Sequence, residues 1–259
     1  MSSYHSALAG LRIGPVPYLN AKPLIWGLNP SLLETDVPSE LSRKFFAGQL
    51  DVALLPLFEV LRVGGARVVD DVAIACRGAV HSVIVASRTS FAKSGTIYLD
   101  PASRSSSALL RVLVAEYYPG GPTVACGGEA IPEDGARLLI GDGAIAFRRM
   151  HGTAWNYHDL GLLWQNHTAL PFVFAVWAVS ESTGPTVFDT LRSVKAGGLA
   201  ARKQIALSHP DPDFAFRYLT ECIHYDLGSK EKSGIRRFES LSRRHGVLPD
   251  AEPANLDFR

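Results

Sequence analysis

The feature that most restricts the fold is the run Asp51-Val52-Ala53-Leu54-Leu55-Pro56, apolar at four consecutive positions and stopped by proline. A strand with one wet face alternates apolar and polar residues, whereas an unbroken apolar run buries both faces. Such a strand needs helices on either side, and the flanking sequence offers them. Residues 39–48 carry a helical apolar face through Leu41, Phe45 and Phe46, with Ser39 as the expected N-cap and Gly48 as the stop. Residues 11–16 form a second short apolar strand. The Asn20-Ala21-Lys22-Pro23 segment after it suits a helix opening with proline in its first turn. The order strand, helix, helix, strand predicts a parallel sheet with crossover helices.

Further along, residues 79–87, 96–100 and 137–140 read as strands, and 107–118 as a strongly apolar helix. Residues 172–179 (FVFAVWAV) form one more apolar strand, and only helices follow it. One helical face there carries Phe214, Tyr218 and Cys222, and another carries Ile235, Phe238 and Leu241. A tandem of domains has no use for that late strand. A chain that crosses into a second lobe and returns along a paired strand does. The expected division is lobe I over 1–88, lobe II over 89–179, and 180–259 returning to lobe I as its helical part, with 249–259 as a loose tail.

Bulk properties exclude several classes. In 259 residues, 26 Lys and Arg nearly cancel 25 Asp and Glu, so no basic field favours nucleic acid. No run reaches the roughly 18–20 apolar residues of a membrane span. The N-terminus lacks a basic region followed by an apolar core, so it does not read as a signal peptide, and a cytoplasmic setting is expected. Cys76, Cys126 and Cys222 are odd in number and far apart, unlike a disulfide framework or a zinc ribbon. The histidines, among them His151, His158 and His167, show no metal-ligand spacing, so neither a metal nor a cofactor is expected.

On physical grounds the best site candidate is Asp100-Pro101-Ala102-Ser103-Arg104-Ser105-Ser106, a strand-to-helix turn dense in hydroxyls. Unpaired amides at a helix start bind carboxylate or phosphate, and Arg104 adds a guanidinium; plain N-capping by Ser103 or Ser105 is the alternative. Val37-Pro38-Ser39 is a second helix start of this kind. Gly141-Asp142-Gly143-Ala144 ends a strand, where open α/β sheets place ligands, although a glycine turn capped by Asp142 explains it equally well. No nucleophile elbow or phosphate-loop spacing is present.

These pieces, taken in order, resemble the chorismate dehydratases of the futalosine route to menaquinone. The resemblance rests on Arg12-Ile13-Gly14, Tyr18-Leu19-Asn20 with Pro23-Leu24, Val37-Pro38-Ser39-Glu40-Leu41, and Gly48 through Pro56. It continues through Ser82-Val83, Asp100 with Ser103-Arg104-Ser105-Ser106, and Gly141-Asp142-x-Ala144. It ends with Asp159-Leu160-Gly161-x-x-Trp164 and Thr168-Ala169-Leu170-Pro171-Phe172 to Trp177. The sister enzyme acting on cyclic dehypoxanthine futalosine opens with a Pro-Cys-Pro-Asn-Asp type segment, whereas this chain has Val16-Pro17-Tyr18-Leu19-Asn20.

The resemblance implies a two-lobed α/β fold of the type II periplasmic-binding-protein kind with a central ligand cleft. The implied reaction converts chorismate, a small dianion, to 3-[(1-carboxyvinyl)oxy]benzoate and water. It also implies Asn20 as the key polar residue, with Ser39, Ser82, Ser103, Ser105, Ser106, Asp142 and Thr168 around the substrate. Two departures stand out: Ser105 replaces a threonine, and His81 stands where the family often has arginine. A binding protein for a small anion, built on the same architecture, is the reading from a different class.

Overall fold

The computed structural model describes residues 7–99, 104–127, 132, 135–250, 252 and 254–259. The first elements are strand β1 (Ile13–Gly14), helix α1 (Pro38–Phe46), β2 (Val52–Pro56), α2 (Leu57–Val63) and β3 (Arg67–Cys76). Next come β4 (Val83–Ser87), β5 (Thr96–Leu99), α3 (Arg104–Tyr117), β6 (Thr123–Cys126), β7 (Ala136–Ile140), α4 (Gly141–His151), β8 (Asn156–Asp159) and α5 (Leu160–Thr168). The last are β9 (Phe172–Val179), α6 (Thr186–Ala200), α7 (Arg202–Leu207), α8 (Pro212–Arg217), α9 (Ser229–Arg244) and β10 (Asp257–Phe258).

Two compact units result. The first gathers the described residues of Met1–Ala75, Val173–Ser229 and Ala254–Arg259; the second gathers those of Cys76–Phe172 and Lys230–Pro253. In the first, the strand order is β1-β2-β9-β3-β10. β1 runs parallel to β2, with Ile13 opposite Val52, and β9 runs antiparallel to β2, with Leu54 opposite Trp177. Every residue of β2 is buried, as its unbroken apolar run requires. In the second unit the order is β6-β5-β7-β4-β8. There β5 is parallel to β6 and β7, while β4 is antiparallel to β7 and β8.

The expected divisions after residues 88 and 179 therefore move. The units part after Ala75 and again after Phe172. Hydrogen bonding decides this: β4 pairs with β7 and β8 in the second sheet, and β9 pairs with β2 in the first. The assignment of all of 180–259 to the first lobe is also corrected. Helix α9 belongs to the second unit, because Phe238 lies edge-on to Trp164 and Phe172 at 6.2 and 5.0 Å. These three side chains are almost wholly buried, and each contributes roughly 1.5–3 kcal/mol of apolar burial. Gly234 of α9 lies so close to the Pro171 carbonyl that a Cβ there would overlap it.

The end of the chain is not a loose tail. β10 adds to β3 in parallel, and the Arg259 carbonyl accepts from Asp70 N at 2.7 Å and Arg192 Nη1 at 2.8 Å.

Candidate functional site

In the first unit β1 and β2 run parallel, so Gly14 and Pro56 finish at the same sheet edge. The segment before α1 follows β1 in parallel: Leu33 bridges Ile13, and Glu34 N donates to the Ile13 carbonyl at 2.8 Å. It thus delivers the start of α1 to that edge. Beyond β1 the chain folds into a 3-10 turn, Leu19–Ile25, which carries Asn20. Topology therefore brings Asn20 and Ser39 to one edge.

Ser39 is not the N-cap it is expected to be. Val37 takes that position and Pro38 the first helical one, because proline lacks the N–H that a helix start cannot use. No side chain caps α1, and its first turn is left with uncapped amides.

The Asn20 side-chain oxygen is buried and has no hydrogen-bond partner among the described residues. Orphaned buried acceptors are uncommon and cost about 1–3 kcal/mol, so they mark places where a ligand or water completes the structure. The backbone of Asn20 is well held. Its carbonyl accepts from the Tyr225 phenol at 3.0 Å. Burial pushes the ionisation of that phenol well above the ordinary range, so it stays a donor.

Tyr225 is itself fixed. Its carbonyl accepts from Ala73 N at 2.9 Å, and His224 and Ala75 exchange two backbone bonds at 2.8 Å. Its neighbour Asp226 takes a 2.8 Å bond from the buried Lys195 ammonium. Helix α6 crosses the Leu19–Ile25 turn so closely that Gly198 has no room for a Cβ against the Pro23 carbonyl.

In the second unit, β4 starts where β7 and β8 end, with Val83 opposite Ile140 and Ile84 opposite Asp159. β5 is parallel to β7, so it finishes at that edge too. Ser82, Gly141 and Asp142 gather there, and α3, which carries Ser105 and Ser106, is the next element of the chain after β5. Ser82 is buried, and its carbonyl accepts from Gly141 N at 2.7 Å. Gly141 sits at φ 57, a left-handed turn that glycine makes without strain.

Ser105 and Ser106 are buried in the first turn of α3. Asp100 and Ser103 lie outside the described residues. Asp142 is exposed and does not cap α4, whose N-cap Ile140 has no side-chain bond. Its charge still complements the positive end of that helix. Thr168 stands apart, in the last turn of α5, about 12 Å along the helix from Leu160 at 1.5 Å per residue. Its hydroxyl donates to the Trp164 carbonyl at 2.7 Å and accepts from Leu170 N at 3.2 Å, closing the helix end.

The organiser of this second edge is Asp159. Its carboxylate accepts from Val80 N at 3.1 Å, His81 N at 2.6 Å and Leu162 N at 3.1 Å. It caps α5 and shapes the loop before β4 together. The acid preceding an apolar helix carries that cap signal in sequence; its grip on residues 80 and 81 has none.

Residues 11–244 match the family described as menaquinone biosynthesis. The chain belongs to that family. Two curated proteins resemble it across most of their length. A chorismate dehydratase of Thermus thermophilus is 29% identical over 226 residues, 78% of this chain and 83% of that protein. One of Campylobacter jejuni is 26% identical over 228 residues, 85% of this chain and 88% of that protein.

Solved structures show the fold of this menaquinone-biosynthesis protein. An Archaeoglobus fulgidus protein superposes with a TM-score of 0.70 at 15% identity, covering 92% of this chain and 98% of that one. The periplasmic aliphatic sulphonate binding protein SsuA of Escherichia coli superposes at 0.62 and 13%, covering 96% and 95%. The fold is thus α/β and of the periplasmic-binding-protein kind. No helix among the described residues is long and apolar enough to cross a membrane.

Proposed function

We propose that this member of the family is a chorismate dehydratase, a hydro-lyase that makes 3-[(1-carboxyvinyl)oxy]benzoate and water. The observation that carries the reading is the buried Asn20 oxygen, without a partner among the described residues, on a turn braced by Tyr225. The activity for which the two relatives are named supplies the substrate.

The chemistry asks little of the protein beyond orientation. The hydrogen on the carbon bearing the enolpyruvyl ether is vinylogous to the ring carboxylate, so its removal leaves a delocalised anion. The side-chain carboxylate of the substrate accepts that proton. The carbon–oxygen bond to the neighbouring hydroxyl then breaks, and the proton passes to the departing oxygen as water. The ring becomes aromatic, which makes the step strongly downhill. An amide has no useful basicity, so Asn20 orients the reacting groups by hydrogen bonding. In this scheme Ser39, Ser82, Ser105, Ser106 and Asp142 are the further residues that contact substrate. Within this reading the protein works in the cytoplasm; none of its three cysteines is joined in a disulfide, which suits a reducing compartment.

Incubation of the purified protein with chorismate, followed by mass spectrometry, is the test. Appearance of the enolpyruvyl benzoate is the expected result. Asn20→Ala is expected to lose about 100- to 1,000-fold in kcat, the usual effect of removing one preorganised polar contact. Tight binding of chorismate without turnover would overturn the reading in favour of a binding protein. A normal rate for Asn20→Ala would remove Asn20 from its role.

A further inference from the structure

His81 occupies a left-handed backbone conformation, φ 63, that side chains rarely adopt. Asp159 holds it there through the 2.6 Å bond to its N–H. Its imidazole Nδ1 lies 3.0 Å from Nη1 of Arg148 on α4. A guanidinium only donates, so Nδ1 is the acceptor in this contact. The same guanidinium lies over the Tyr157 ring, 5.3 Å from its centroid. The Tyr157 hydroxyl is buried without a partner among the described residues. No carboxylate pairs with Arg148 among them.

Arg148 is thus a half-buried guanidinium fixed by an imidazole and an aromatic face, with no acidic partner among the described residues. Its anchor, His81, immediately precedes Ser82, whose carbonyl holds Gly141 at the start of the same helix. A planar fork fixed in this way, with donors to spare among the described residues, matches a carboxylate.

We propose that Arg148, positioned by His81 and Tyr157, binds one carboxylate of a small cyclic dicarboxylate. The inference rests on the dehydratase reading for the identity of that dianion. His81 and Tyr157 act as positioning residues and Arg148 as the binding one.

The test compares wild type, Arg148→Gln, Arg148→Lys and His81→Phe by calorimetric titration with the enolpyruvyl benzoate product, and by chorismate kinetics. Equal melting temperatures control for folding. Arg148→Gln is expected to weaken product binding about 10- to 100-fold, as loss of a charge-assisted bond does. KM for chorismate should rise by a similar factor, and kcat should fall far less. Lysine should restore part of the affinity, because it keeps the charge without the fork. His81→Phe should weaken binding less than Arg148→Gln, while the steep salt dependence lost in Arg148→Gln persists.

Product binding and KM unchanged in Arg148→Gln would overturn the subsite even with chorismate turnover intact. If wild type binds product yet does not convert chorismate, the enzymatic reading falls and the affinity comparison still decides the subsite. A wild-type protein that binds no product overturns both.

Discussion

The Tyr225 hydroxyl donates to the Asn20 backbone carbonyl at 3.0 Å across 205 positions of sequence. The bond fixes the peptide whose side chain carries the orphaned amide oxygen, and it leaves that side chain unused. Tyr225→Phe removes only the donor and leaves the carbonyl buried. We expect kcat on chorismate to fall about 10-fold with KM nearly unchanged. The loss of stability should be about 1 kcal/mol, the net worth of one hydrogen bond. Steady-state kinetics alongside denaturant unfolding checks this; an equal rate in the variant would show that Asn20 needs no such brace.

Gly198 packs against the same turn. A Cβ at residue 198 meets the Pro23 backbone carbonyl, which cannot swing away as the end of a flexible side chain does. Gly198→Ala therefore has to displace either α6 or the Leu19–Ile25 turn. The expected cost is about 1–3 kcal/mol, as for other overpacked sites, with activity falling further than stability alone explains. Thermal unfolding and turnover of the soluble variant, measured together, separate these effects. A melting temperature and rate equal to wild type would refute the close approach.

What was legible in the sequence was whatever depends on neighbours along the chain. The apolar run 52–55 read as a strand buried on both faces because burial pattern is local. Gly48 read as a helix stop, and it follows α1 at φ 70. Ser39 failed as a cap only because Pro38 claims the first helical position. Sheet partners were not legible. The run 172–179 announced a strand, but its place between β2 and β3 comes from hydrogen bonds to residues more than 100 positions away. Tyr225, Gly198 and the Arg148–His81 contact escaped for the same reason: each acts on a partner that no periodicity connects to it. The family motifs point to Asn20 as a candidate, while the residues that hold Asn20 carry no motif.

Asp159 links the loop before β4 to the start of α5 through three backbone N–H groups. Asp159→Ala leaves all three without an acceptor in a largely buried place. The expected loss is about 2–4 kcal/mol, above an ordinary cap because the acceptor is charged and shared. His81 would then lose what holds it in its left-handed conformation. Asp159→Asn keeps one good acceptor and should recover part of the stability. Chemical denaturation of the two variants ranks them, and an alanine variant as stable as the asparagine one would contradict this account.

His158 gives the second unit a pH dependence that can be read near neutrality. Burial holds its ionisation below the ordinary value of 6.5, and the bond to the Thr89 carbonyl opposes that only in part. The ring is enclosed by Ser87 at 3.0 Å, Thr89 at 3.1 Å and the edge of Phe91. A histidine with a lowered folded value binds its proton more readily in the unfolded chain. Its contribution to stability is therefore present above pH 6.5 and is lost as pH falls towards the folded value. Wild type should lose stability as pH drops below about 6.5, and His158→Gln should show a shallower slope over that interval. Urea unfolding at half-unit steps from pH 7.5 to roughly 5 reads the slope directly. Parallel slopes for the two proteins would show that His158 takes no part in it.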